Sequence, residues 1–204
     1  MKTNMMIALV IALMSGPAWG MVDFRSNTSM SYGKATGDYI STSPTLLNYA
    51  EDLSVLYNGL PFVQAGIGGS FRFVRQTSAV ESSVGNFKGN RWEIYPVVGT
   101  TFSNFWFGLA PVFYAGRYSM SKQTVNKLDI YYREPLGAKL FVSYDLSALF
   151  PLPAIKWGVS LAGDYMTYKK YSTVNAAGTA TDKEMDSRLK LWSVGLALSI
   201  YYGI

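Results

Sequence analysis

The chain has 204 residues, room for one domain, and its 18 Lys and Arg against 13 Asp and Glu leave a weak positive surplus of +5. Hydrophobic residues make up 49% and charged ones 15%, yet no internal apolar run reaches the ~18–20 residues that a membrane helix needs. With no Cys there is no disulfide framework, and with neither His nor Cys no structural or catalytic zinc site is expected.

The first segment, MKTNMMIALVIALMSGPAWG, sets one charge, Lys2, before the apolar stretch 5–14 and ends on the small residues Ala18 and Gly20. It reads as a secretory signal over residues 1–20, leaving a mature chain of 21–204. The alternative is a short anchor, but the apolar stretch is about half a span. Export also argues against a nucleic-acid partner.

Alternation and turn residues then predict eight strands in succession. They run near 22–34, 46–57, 62–76, 91–102, 105–120, 130–147 and 155–172, with the eighth ending the chain. The connections between them alternate long and polar (GDYISTSP, TSAVESSVGNFKG, SKQTVNK, TVNAAGTATDKEMDS) with short (NGLP, SN, ALFPLP). An up-and-down sheet whose long loops share one end has this rhythm, and the fold class it implies is all-β, an eight-stranded antiparallel transmembrane barrel. A soluble sandwich places its long and short connections less regularly.

The last strand shows the two faces. Trp192, Val194, Leu196, Leu198, Ile200 and Tyr202 alternate with Ser193, Gly195, Ala197, Ser199, Tyr201 and Gly203. In a barrel that spans a membrane the large apolar face meets lipid and the small face a narrow lumen. The same parity sends ten ionic residues inward: Arg25, Asp52, Arg72, Arg91, Glu93, Arg133, Lys139, Asp145, Lys156 and Asp164. Both signs are present, so they are expected to pair and plug the lumen. Outward rings form two girdles, with Tyr32, Trp92, Tyr132, Tyr165 and Trp192 toward the long loops and Tyr57, Phe102, Phe105, Trp157 and Tyr202 toward the short turns.

This pattern, over residues 21–204, resembles the small eight-stranded outer-membrane barrels of Gram-negative bacteria, the group of OmpX, OmpW and the membrane domain of OmpA. The resemblance is architectural. Its most specific element is the closing stretch LWSVGLALSIYYGI, which looks like the terminal signal that the barrel-assembly machinery reads in this group, with Ile204 where Phe is usual. It implies a monomer in the outer membrane, in contact with membrane lipids and lipopolysaccharide. No cofactor is implied. Enzymatic members of the class depend on histidine, and this chain has none, so no catalytic residue is expected.

Two further features bear on function. Pairing Phe102 with Phe105 across Ser103-Asn104 sets Pro96 opposite Pro111, and neither donates a ladder hydrogen bond. One reading is a bulge that curves a small barrel; the other is a weakened seam for lateral passage of an apolar molecule. Basic residues also gather toward the long loops, with Lys169, Lys170, Arg188 and Lys190 as candidate contacts for lipopolysaccharide phosphates. The competing reading is a solvated face of mixed charge, since Asp182, Glu184 and Asp186 sit nearby. Three roles remain distinct: a structural or surface-interaction barrel, a narrow pore or transporter, and a lipid-modifying enzyme.

Overall fold

The computed structural model describes residues 22–37, 45–60, 62–76, 88–115, 118–121, 129–174 and 180–203. The signal segment expected at residues 1–20 and most of the long polar connections lie outside the described residues. The strands are β1 (Val22–Thr36), β2 (Thr45–Leu60), β3 (Val63–Gln76), β4 (Lys88–Phe102), β5 (Phe105–Val112), β6 (Tyr114–Ala115), β7 (Tyr118–Ser121), β8 (Asp129–Asp145), β9 (Ile155–Val174) and β10 (Ala180–Gly203).

Segments β5, β6 and β7 follow one another along a single stave between β4 and β8, so the wall has eight staves. Every pairing is antiparallel. The order β3-β2-β1-β10-β9-β8-β5-β4 closes through the β3–β4 ladder, and β1 pairs with β10 from Asp23↔Gly203 to Thr36↔Lys190. Closure leaves the main staves without a free edge, which is the condition for strands to lie in lipid.

Alternation decides what each stave shows to either side. On β1 the burial alternates from Arg25 to Ala35, with odd residues inside. On β10 Trp192, Val194, Leu196, Leu198, Ile200 and Tyr202 are exposed outward, while Ser193, Ala197, Ser199 and Tyr201 are buried. The outer stretch from Trp192 to Tyr202 matches the ~9–11 residues with which a tilted strand crosses the hydrocarbon core. Tyr32, Trp92, Tyr165 and Trp192 stand outward at its long-loop edge, and Phe102, Phe105 and Tyr202 at the other. The barrel is a transmembrane one.

Large side chains as well as small ones point into the barrel. Tyr95, Val97, Trp106, Phe141, Met166, Tyr168, Leu189 and Leu191 are all buried inside the wall. The Trp106 ring lies across Gly99 and Gly108, where an added Cβ would come within 2.7 and 2.2 Å of it. Those two glycines vacate the volume that the indole occupies.

The structure corrects the expected girdle at Tyr132, which is buried at 1% exposure. Glu134 takes a left-handed φ of 54°, and the ladder omits its pairing between Arg133↔Lys170 and Pro135↔Tyr168. The irregularity resets the alternation, so that Tyr132 takes the buried position beside Tyr168, ring centroids 6.1 Å apart, and Arg133 is left half-buried. Left-handed φ at Ser103, in the two-residue turn between β4 and β5, follows from the twist of a tight hairpin.

Candidate functional site

The feature that defines this barrel is a ring of ionic side chains at mid-lumen. Asp52 comes from β2, Arg72 from β3, Arg91 and Glu93 from β4, Lys139 from β8 and Asp164 from β9, and each is under 9% exposed. They are drawn inward because their strand parity admits no other side, and each must find a partner there because an unpaired buried charge is costly.

Lys139 Nζ donates to Asp52 Oδ1 at 2.6 Å and to Ser70 Oγ at 2.7 Å, and pairs with Glu93 Oε2 at 2.6 Å. Its ammonium also lies 4.7 Å from the Tyr95 ring centroid, and the Tyr95 hydroxyl donates to the same Asp52 oxygen at 2.6 Å. Asp164 is the second hub. It pairs with Arg72 through Oδ1, accepts from Arg91 Nη2 at 3.2 Å through Oδ2, and accepts the Ser193 hydroxyl. Arg91 joins the hubs by pairing with Glu93, and Ser70 donates to Glu93 Oε2 at 3.0 Å.

Three cations therefore meet three carboxylates, and the set is neutral. Position on the ring matters more than the count. Stave β8 stands four places from β2 in either direction around the closed sheet, and β9 stands four places from β3. The Lys139–Asp52 and Arg72–Asp164 pairs thus span the full diameter. The free space beside them, lined by Asn48, Arg72, Val74, Arg91, Asp164, Leu191 and Ser193 among others, is about 10 Å³. That is room for about one water.

The other inward residues lie away from this ring. Arg25 sits near the short-turn mouth, its guanidinium 4.3 Å from the Trp106 ring centroid and 4.8 Å from that of Tyr201, with Nη2 donating to Gln64 at 3.3 Å. Gln64 in turn accepts from Trp106 Nε1 at 2.6 Å and donates to Asp23 at 3.2 Å. These groups line a vestibule of about 760 Å³ that also takes in Asp145 and Lys156. Asp145 is half-buried and accepts the Ser147 backbone N–H at 2.8 Å, so it serves the turn. Lys156 departs from expectation. It pairs opposite inward Tyr201 but is exposed at the mouth, where no opposite wall closes on it, and it takes no part in the network.

At Pro96 and Pro111 the β4–β5 ladder lapses. Pairing runs from Phe102↔Phe105 to Val98↔Leu109 and resumes at Ile94↔Tyr114 with the register shifted by one residue. Both prolines keep partners on their other sides, Ile67 and Ala138. The gap is therefore local to this one seam.

On the outer rim, Lys169, Arg188 and Lys190 are exposed near the long-loop end of β9 and β10. Lys170 is half-exposed and pairs with Glu134 at 2.5 Å. Lys34 on β1, opposite Trp192, extends this basic strip and was not among the residues singled out from the sequence. Reading by parity also passed over Tyr95 and Trp106, because it sorts sides without telling which large rings fit inside. Among the described residues no group of three or more His, Cys, Asp or Glu is placed to hold a metal ion.

No protein-family model matches this sequence, and no curated protein matches it either. Solved structures are similar in the course of the chain. They include AlkL, an outer membrane protein solved in DMPC bilayers (10% identity, 93% of each chain covered, TM-score 0.49). Neisserial surface protein A is another (13% identity, 89% of this chain and 97% of that one, TM-score 0.48). A third is the outer membrane protease OmpT from Escherichia coli (8% identity, 91% and 97%, TM-score 0.44).

Proposed function

We propose that this chain is an outer-membrane barrel of a Gram-negative bacterium with a structural or surface-interaction role, its lumen closed to solutes and its long loops outward. The observation that carries the closed lumen is the pair of salt bridges across the full diameter, Lys139–Asp52 and Arg72–Asp164. Charged side chains held this way resist displacement, because parting one pair leaves two desolvated ions. The reading is non-enzymatic, since each carboxylate of the mid-lumen ring is engaged by a cation and the chain has no His or Cys to act as base or nucleophile. Liposomes bearing the folded barrel should not swell in small sugars faster than empty ones; size-dependent swelling would sink the closed lumen.

The basic strip supports contact with lipopolysaccharide. Lys34, Lys169, Arg188 and Lys190 stand just beyond the Tyr165 and Trp192 girdle, where lipid phosphates lie. Lys170 is partly committed to Glu134, a surface pairing of small worth. The β10 strand that closes against β1 is the segment we assign to recognition by the barrel-assembly machinery, and the barrel acts as a monomer.

A second reading rests on the ladder gap. A seam without hydrogen bonds between Val98/Leu109 and Ile94/Tyr114 could part to pass an apolar molecule between lipid and lumen. The one-residue shift across it is equally what a bulge gives. Uptake of a hydrophobic dye separates them: uptake that responds to both prolines supports the seam, and indifference supports the bulge.

A further inference from the structure

The outward belt between the two girdles is largely apolar. Among the described residues, Glu51 is the only charged side chain facing outward there. It sits near the middle of the belt. Thr28, its partner on β1, pairs on the other side with Leu198, between Trp192 and Tyr202. Its neighbour Asp52 is the residue committed to the lumen, so two adjacent carboxylates take opposite faces of β2. Outward Ser26 and Thr28 complete the island. The Ser26 hydroxyl donates to Glu51 Oε1 at 2.5 Å and the Thr28 hydroxyl to Oε2 at 2.6 Å.

Barrel closure does not require this island, and in lipid a carboxylate at mid-belt works against stability. Beside it the wall is recessed. An apolar groove of about 530 Å³ runs over Ala65 and Gly69, between Phe24, Leu53, Val55, Ile67 and Ile94. The volume falls within the ~300–1,000 Å³ of small-molecule sites. Leu53, on the groove wall, pairs with Ser26 of the island.

The hydrogen-bond inventory selects the occupant. A carboxylate offers about four lone-pair sites, and two are taken, so acceptor capacity remains. No donor remains, because both hydroxyls already point at Glu51. A second copy of this chain cannot satisfy the island, since its own Ser26 and Thr28 are spent the same way and the rest of its described belt offers no free donor at that depth. The hydrocarbon tails of ordinary phospholipids bring no donor either. From this we infer that the β1–β3 face binds a single-chain amphiphile whose small head donates hydrogen bonds, a long-chain alcohol, with its tail in the groove and its hydroxyl on Glu51. The inference needs only that the barrel spans a membrane, and it holds whether or not the lumen is closed.

The test is photolabelling in phosphatidylcholine nanodiscs with a diazirine-tagged hexadecanol, the sites mapped by peptide mass spectrometry. Labelling is expected to concentrate on 22–28, 51–57 and 63–69, and to be competed by hexadecanol but not by hexadecane. Two variants guard against a folding artefact, with the native barrel checked by its heat-modifiable gel mobility. Glu51→Leu removes the acceptor and should weaken competition about tenfold, the worth of one hydrogen bond to a charged group. Ala65→Phe fills the groove and should abolish it with Glu51 in place. Uniform labelling around the barrel, competition by hexadecane, or unchanged binding in folded Glu51→Leu would overturn the assignment. So would a disulfide-linked dimer formed in the membrane by Leu53→Cys, which would give the face to a second copy.

Discussion

Replacing Lys139 with Met keeps the length of the side chain and removes its charge. In the folded barrel that ammonium lies 2.6 Å from Asp52, 2.6 Å from Glu93 and 2.7 Å from Ser70. The variant leaves two buried carboxylates facing each other, with Arg91 the remaining neutralising contact of Glu93 and Tyr95 the donor left to Asp52. Breaking a buried pair in this way costs about 3–5 kcal/mol, since the partner keeps its desolvation penalty and loses its compensation. The double variant Lys139→Met/Asp52→Leu restores neutrality, with Arg72 and Arg91 against Glu93 and Asp164. It should cost less than the single one, a coupling of about 1–3 kcal/mol. Urea unfolding from lipid vesicles, followed by tryptophan emission, reads both. If Lys139→Met cost under about 1 kcal/mol, and Asp52→Leu relieved nothing, the network would be solvated and the lumen wet.

Three other outcomes follow from the same structure. Gly108→Ala puts a Cβ 2.2 Å from the Trp106 ring, so the indole must shift at a cost of about 1–3 kcal/mol, with a change in its emission; an unchanged spectrum and stability would contradict the packing. Pro96→Ala with Pro111→Ala should raise the unfolding midpoint by allowing ladder bonds to form, and unchanged uptake of a hydrophobic dye would sink the lateral seam. Neutralising Lys169, Arg188 and Lys190 together with Lys34 should reduce lipopolysaccharide co-purified with the barrel; an unaltered yield would leave the strip a solvated face.

The wall was legible in the sequence because a barrel in lipid writes its two faces as strict alternation. The run from Trp192 to Tyr202 assigned both sides of β10, and the rhythm of long and short connections assigned the topology. Alternation also placed Asp52, Arg72, Arg91, Glu93, Lys139 and Asp164 inside. It could not tell which would meet, since Lys139 and Asp52 are 87 residues apart and their contact depends on closure. Where the backbone leaves the regular strand, parity fails. Glu134 at positive φ turned Tyr132 inward, and the local signal for that step is Pro135, which cannot donate to a ladder and which alternation alone does not weigh. At the barrel end, inward parity ceases to mean burial, which is why Lys156 is exposed. Glu51 was overlooked beside Asp52 because pairing charges with the lumen leaves the outer carboxylate without a role.

The measurement that bears most directly on the proposed closure of the lumen is ion conductance in a planar bilayer. The protein as it stands is compared with a variant in which Asp52, Arg72, Arg91, Glu93, Lys139 and Asp164 are all Ser, both verified as folded. Silence from the unmodified barrel across salt and voltage, with discrete openings from the variant, is the expected result. Steady openings from the unmodified barrel, carried by the same lumen, would contradict the account.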